Sequence, residues 1–146
     1  MKELKELFFK SKMILYTSAT CDYCKQVKET LDKSNISYIE KDILKHKEDW
    51  QELVTITNMP VTPAIHYMNR FFLPARDFLN PVNMMEVLNT SQEIDARDKI
   101  DVIIERSKTF NYQISQAFNS LDKRLKLIDD KQDQILTKGS KKKTKK

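Results

Sequence analysis

Glycine is almost missing from this chain. The sequence of 146 residues contains one, Gly139, so residues 1–138 hold none. A glycine-rich phosphate loop, a dinucleotide-binding fingerprint, a collagen repeat and a glycine linker are thereby excluded. Proline is scarce as well, with four residues at 60, 63, 74 and 81, all in the middle third. Two cysteines, Cys21 and Cys24, are too few for a disulfide-stapled mini-protein. No apolar run approaches the roughly 18 residues that a membrane-spanning helix needs. The first ten residues lack the apolar stretch of a signal peptide. Their Leu4, Leu7 and Phe8 fall at helical spacing and predict a short amphipathic helix instead. These absences point to a cytoplasmic protein with no membrane partner.

What is present is unevenly spread. Charged residues reach 32% against 40% hydrophobic, so part of the chain is not core-forming. Residues 1–90 carry 12 basic and 12 acidic side chains, and residues 91–137 carry 8 and 9. Residues 138–146 carry six lysines and no acid. The net charge of +5 therefore resides in the tail and says nothing about a folded part. The organisation expected is a domain over 1–90, a helical extension over 91–137 and a disordered Lys-rich tail over 138–146. A solvated tail is the preferred reading over a weak contact with nucleic acid or an acidic surface.

Residues 13–17, Met-Ile-Leu-Tyr-Thr, are an apolar run of strand length and predict a buried strand. A polar turn, 18–24, carries both cysteines. Val27 and Leu31 mark one face of a helix over 23–34, and 36–43 reads as a second strand. Trp50, Leu53, Val54 and Thr57 mark a helix over 44–57. Asn58-Met-Pro-Val-Thr-Pro63 cannot be helical throughout. Strands follow at 64–68 and 71–73, joined by a turn at Asn69-Arg70. Asn80-Pro81 then starts a helix to about Leu88, with Asn as cap and Pro at the first helical position.

Cys21-Asp22-Tyr23-Cys24 thus lies between a buried strand and a helix. Dithiol exchange needs this placement. The attacking group is the thiolate, and an ordinary thiol is mostly protonated at neutral pH. Unpaired N–H groups and partial positive charge at a helix N-terminus stabilise the anion. Two intervening residues put the second sulfur about one turn on, within reach of the first. Two other readings compete. Half a zinc site would need further ligands, yet His46 and His66 are isolated and no second cysteine pair follows. Two inert thiols would require both to fall at a helix start by chance. Thr62-Pro63, about 40 residues on and directly before a strand, adds a second feature. A cis bond there would bring a strand end beside the cysteines and leave the Thr62 backbone to pair with an extended substrate. The alternative is an ordinary trans-proline turn.

Tyr16-Thr-Ser-Ala-Thr-Cys-Asp-Tyr-Cys-Lys25, the strand ending Glu40-Lys-Asp42, and Val61-Thr-Pro-Ala-Ile65 together resemble a glutaredoxin, in order and spacing, over about residues 12–90. The resemblance implies an α/β, thioredoxin-like fold: a four-stranded mixed sheet flanked by helices, here followed by a long C-terminal helix. It implies Cys21 as nucleophile, Cys24 as resolving thiol and Pro63 as the cis-proline. Tyr23, Thr62 and Pro63 become the substrate-binding residues. No bound cofactor or metal is implied. The partners implied are disulfide-bearing proteins and a thiol reductant. Asp22 stands where dithiol glutaredoxins most often have Pro, and an acid there is expected to make the pair more reducing. A larger departure is Leu79-Asn-Pro-Val-Asn83, where the family usually carries Gly-Gly and then Ser/Thr-Asp to hold glutathione. Asn80 and Asn83 are the candidate glutathione contacts, but Pro81 has no N–H and Asn83 no charge. Two reductants stay open, glutathione and a thioredoxin-reductase-like protein.

Beyond Ser91 proline disappears. Ile104, Asn111, Phe118, Leu125 and Gln132 at heptad position a, with Ile100, Ser107, Ile114, Leu121, Ile128 and Ile135 at d, give eight apolar seam positions of eleven. A coiled coil, self-associating or binding a partner helix, is expected, with fold-back onto the first domain as the alternative. The functional expectation is a dithiol–disulfide oxidoreductase of electron-transport type. The alternative is a structural or adaptor protein of a larger assembly, for instance a virus particle, with the redox fold as scaffold.

Overall fold

The computed structural model describes residues 12–91 and 99–143, with side chains described up to residue 137, residue 99 excepted. The helix expected around Leu4, Leu7 and Phe8 lies outside the described residues. The elements are β1 (Met13–Thr17), α1 (Asp22–Lys33), β2 (Tyr38–Asp42), α2 (Lys47–Thr57), β3 (Ala64–Tyr67), β4 (Arg70–Phe72), α3 (Pro81–Thr90) and α4 (Lys99–Lys143). The four strands form one mixed sheet in the order β2-β1-β3-β4. β1 runs parallel to β2, which needs the α1 crossover between them. β3 lies antiparallel to β1 and β4 antiparallel to β3. The expected thioredoxin-like architecture and its long C-terminal helix are both present.

Strand alternation divides the core between the two faces of the sheet. Met13, Leu15, Ile65 and Phe72 point to one face, where Val27 and Leu31 of α1 and Met84 and Leu88 of α3 cover them. Tyr16, Ala64 and Phe71 point to the other, against Leu53 of α2 and Leu73. Each fully buried large apolar side chain contributes roughly 1.5–3 kcal/mol. The four-residue spacing of Val27/Leu31 and of Met84/Leu88 is the helical stripe that makes this cover continuous.

With no glycine before residue 139, other residues must stand wherever the backbone turns left-handed. Asparagine takes three of these positions, Asn35 (φ 54°), Asn58 (φ 54°) and Asn69 (φ 58°). Its short side chain tolerates this region better than most. Asn58 ends α2 in this way, its N–H donating to the Val54 carbonyl at 2.7 Å. Met68 (φ 51°) and Ala75 (φ 66°) lack even that help. The hairpin turn falls on Met68-Asn69, both left-handed, and Arg70 already belongs to β4. The turn expected at Asn69-Arg70 is therefore one residue earlier, because two positive φ values match the strand twist.

Contacts divide the chain into one unit ending at Thr109 and a second over Phe110–Lys146. The first unit takes in the opening turns of α4. There Glu105 and Thr109, one turn apart, are buried. The Arg76 guanidinium donates to the Glu105 carboxylate at 2.7 Å, the Phe71 carbonyl at 2.9 Å and the Thr109 hydroxyl at 3.2 Å. It also pairs with Asp77, whose carboxylate accepts from the Leu73 N–H at 2.8 Å. Thr109 donates to the Thr57 carbonyl at 2.6 Å, and Arg106 to that of Thr55 at 2.9 Å. These turns dock through a polar face, while the seam positions Ile100 and Ile104 stay exposed. In the second unit α4 continues as helix to Lys143, into the segment expected to be disordered.

Candidate active site

β1 ends at Thr17, and the Cys21 N–H then donates to the Ser18 carbonyl at 3.1 Å, a tight turn that delivers Cys21 to the start of α1. Cys21 is the helix N-cap, in extended conformation (φ −91°, ψ 102°). Caps usually offer an oxygen. Here the Cys21 Sγ itself accepts from the Cys24 N–H at 3.1 Å. The two cysteines form a disulfide with a Cα–Cα distance of 5.3 Å. Cys21 is half-exposed, whereas Cys24 retains 1% of its accessible surface on the buried side of α1. One sulfur faces outward and the other backs onto the core.

The Thr62-Pro63 peptide is cis, and Pro63 is fully buried. Tyr16 pairs with Ala64 across β1 and β3. β3 begins at Ala64, directly after Pro63, and β1 ends at Thr17, shortly before Cys21. The two features singled out in the sequence thus meet at one end of the sheet. Tyr23, between the cysteines, packs its ring tilted against Phe78, with centroids 6.3 Å apart. Its hydroxyl is buried without a partner among the described residues, and burial pushes the phenol above its ordinary pKa.

Asn80 and Asn83 are occupied locally. The Asn80 Oδ1 accepts from the Asn83 N–H at 2.8 Å and caps α3. The Asn83 Oδ1 accepts from the Leu79 N–H at 3.2 Å, and its Nδ2 donates to Glu86 at 3.4 Å. Pro81 sits at the first helical position, and the first turn of α3 contains no acid.

The sequence reading missed two participants. Lys25 donates to Asp22 at 2.8 Å, and this hydrogen bond and charge hold the Asp22 carboxyl below its usual range and raise the Lys25 ammonium. The i, i+3 spacing was the available signal. Glu40 accepts from Lys28 at 2.9 Å and from the Thr17 hydroxyl at 2.8 Å, tying α1 and β1 to the edge strand β2. These hydrogen bonds, Lys28 first, keep the Glu40 carboxyl below its ordinary range. A hollow of about 170 Å³ lined by Tyr16, Lys41, Asp49, Glu52 and His66, among others, shares no residue with the cysteine site. Among the described residues no three His, Cys, Asp or Glu side chains converge as metal ligands, and no helix is long and apolar enough to cross a membrane.

Residues 13–72 match the glutaredoxin family model. Among solved structures, the thioredoxin-like protein BC3987 is 23% identical, with a TM-score of 0.46 over 53% of this chain and 100% of its own. The glutaredoxin of Archaeoglobus fulgidus is 18% identical, with a TM-score of 0.46 over 59% of this chain and 94% of its own. No curated protein matches by sequence.

Proposed function

Starting from the glutaredoxin family, to which residues 13–72 belong, we propose that the chain is a thiol–disulfide oxidoreductase in which Cys21 and Cys24 carry the reaction. The observation that carries this reading is the Cys21 sulfur at the N-terminus of α1, accepting the Cys24 N–H at 3.1 Å. That donor, the helix's partial positive charge and the outward position of Cys21 are what an attacking thiolate requires.

In the reduced protein the Cys21 thiolate attacks one sulfur of a substrate disulfide. The S–S bond breaks, and the released substrate sulfur leaves as a thiolate that takes a proton from solvent. Cys21 is now joined to the substrate's other sulfur. Cys24, after losing its proton, attacks the Cys21 sulfur and releases the second substrate thiol. Substrate gains two electrons, and the protein ends as the Cys21–Cys24 disulfide. An external thiol reductant must supply two electrons to reopen it. The backbone of half-buried Thr62 is where an extended substrate segment would lie, with Tyr23 as a further contact and buried cis-Pro63 fixing the position of Thr62. Disulfide-bearing proteins are the substrate class.

The test is turnover of a protein disulfide by the pre-reduced chain, with Cys21→Ser and Cys24→Ser as controls. Reduction by the wild type, none by Cys21→Ser, and a trapped mixed disulfide with Cys24→Ser are expected. Reduction that survives Cys21→Ser would refute the assignment.

A further inference from the structure

Among the described residues, the second unit is one helix whose apolar face is exposed. Ile114, Phe118, Leu121, Leu125, Ile128 and Ile135 recur at a and d spacing, and they are between 37% and 70% exposed. We infer that this face is closed by a second copy of the chain, as a parallel, in-register two-stranded coiled coil over residues 110–137. Two observations select this occupant. The first is charge. On the seam's flanks in 110–137, the charged e positions are Asp122 and Asp129, and the charged g positions are Arg124 and Lys131. One flank is acidic and the other basic. In a parallel pair each g flank faces the partner's e flank, so Arg124 of one copy meets Asp129 of the other, twice by symmetry. In an antiparallel pair g faces g and e faces e, which sets basic against basic and acidic against acidic. The second observation is the polar seam residues. Asn111 and Gln132 both occupy position a, and only a parallel, in-register pair sets each against its own twin, where side-chain amides hydrogen-bond to each other. Docking of the helix's opening turns does not compete for this face. It uses Glu105 and Thr109, on the flank away from the seam.

Sedimentation equilibrium of the full chain is the experiment, and twice the 17.3 kDa chain mass is the expected result. Arg124→Glu and Asp129→Arg should each weaken dimerisation about tenfold, because each turns two attractive pairs repulsive. The two together should restore it. Lys123→Glu, exposed at position f, should leave it unchanged. Circular dichroism of each variant separates lost pairing from lost helix. A full chain that stays monomeric at micromolar concentration overturns the inference and leaves the face to a different protein. A dimer that the double charge exchange fails to restore overturns the parallel register.

Discussion

The Arg76 guanidinium and the Glu105 carboxylate lie 2.7 Å apart, though 29 positions separate them in sequence, and both side chains are buried. Arg76 also reaches Asp77 and the Phe71 carbonyl, so one cation joins the end of β4, the following loop and the start of α4. A buried pair costs desolvation to form, but removing one partner strands a buried charge. Glu105→Ala leaves Arg76 with Asp77 as its remaining charge partner and should lower stability by about 1.5–3 kcal/mol, the worth of one charged hydrogen bond. Arg76→Met with Glu105→Met should cost less than the two single losses combined. Chemical denaturation of the wild type, Glu105→Ala, the two methionine variants and their combination decides. Ending the chain at Ser91 removes Glu105 and Thr109 together and should lower the melting temperature. A truncated protein as stable as the full chain would show that this contact contributes nothing.

Reduced Cys21 should alkylate well before Cys24. The motive is exposure, since Cys24 retains 1% of its surface while Cys21 sits outward at the helix cap. Iodoacetamide at neutral pH followed by peptide mapping reads this directly. Equal labelling, or preference for Cys24, would reverse the roles proposed for the pair.

Asp22 places a carboxylate one residue from Cys21, and Lys25 answers it across one turn at 2.8 Å. Lys25→Ala leaves that charge uncompensated beside the sulfur. Thiolate formation becomes less favourable, and the rate of Cys21 alkylation at neutral pH should fall. The pair is fully exposed, so the difference should shrink as salt rises. An unchanged rate at low salt would mean that solvent alone already screens Asp22.

Most of the strands and the dithiol were legible because each is local. Four consecutive apolar residues, two cysteines three apart and a proline before a strand carry their meaning within a short window. The docking of α4 was not legible. Arg76, Glu105 and Thr109 look like surface residues in any window, and their burial follows from a 29-residue separation that no periodicity encodes. The left-handed asparagines were half legible. The lack of glycine before residue 139 requires substitutes somewhere, but nothing local says that Met68 and Ala75 also adopt that conformation.

Acid should loosen the β2 edge. Lys28 and Thr17 hold the Glu40 carboxyl below its ordinary range. A lowered folded-state pKa means that the contribution is present above the ordinary carboxylate value and is lost as pH falls through the folded one. Lys28→Ala should move the Glu40 titration upward, seen by NMR. It should also reduce the part of the acid sensitivity that Glu40 causes. Glu40 is 42% exposed, so the effect on stability is small. A titration unmoved by the substitution would assign the lowering to Thr17.

Glutathione should bind weakly compared with a glutaredoxin that keeps Gly-Gly and Ser/Thr-Asp at this place. The start of α3 has little left to offer. Pro81 supplies no N–H, the Asn83 N–H is already given to Asn80, and the Asn83 side-chain Oδ1 is taken by the Leu79 N–H. A γ-glutamyl amine also finds no acid in that turn. One charged hydrogen bond is worth about 1.5–3 kcal/mol, so its loss weakens binding by roughly tenfold or more. Calorimetry of the Cys24→Ser protein with glutathione disulfide measures it. Asn83→Asp restores the missing charge and should tighten binding, although Glu86, 3.4 Å from Asn83, opposes part of the gain. Weak binding by the parent and tighter binding by Asn83→Asp would favour a protein reductant over glutathione. Efficient glutathionylation and turnover with glutathione alone would show that other groups replace the missing ones.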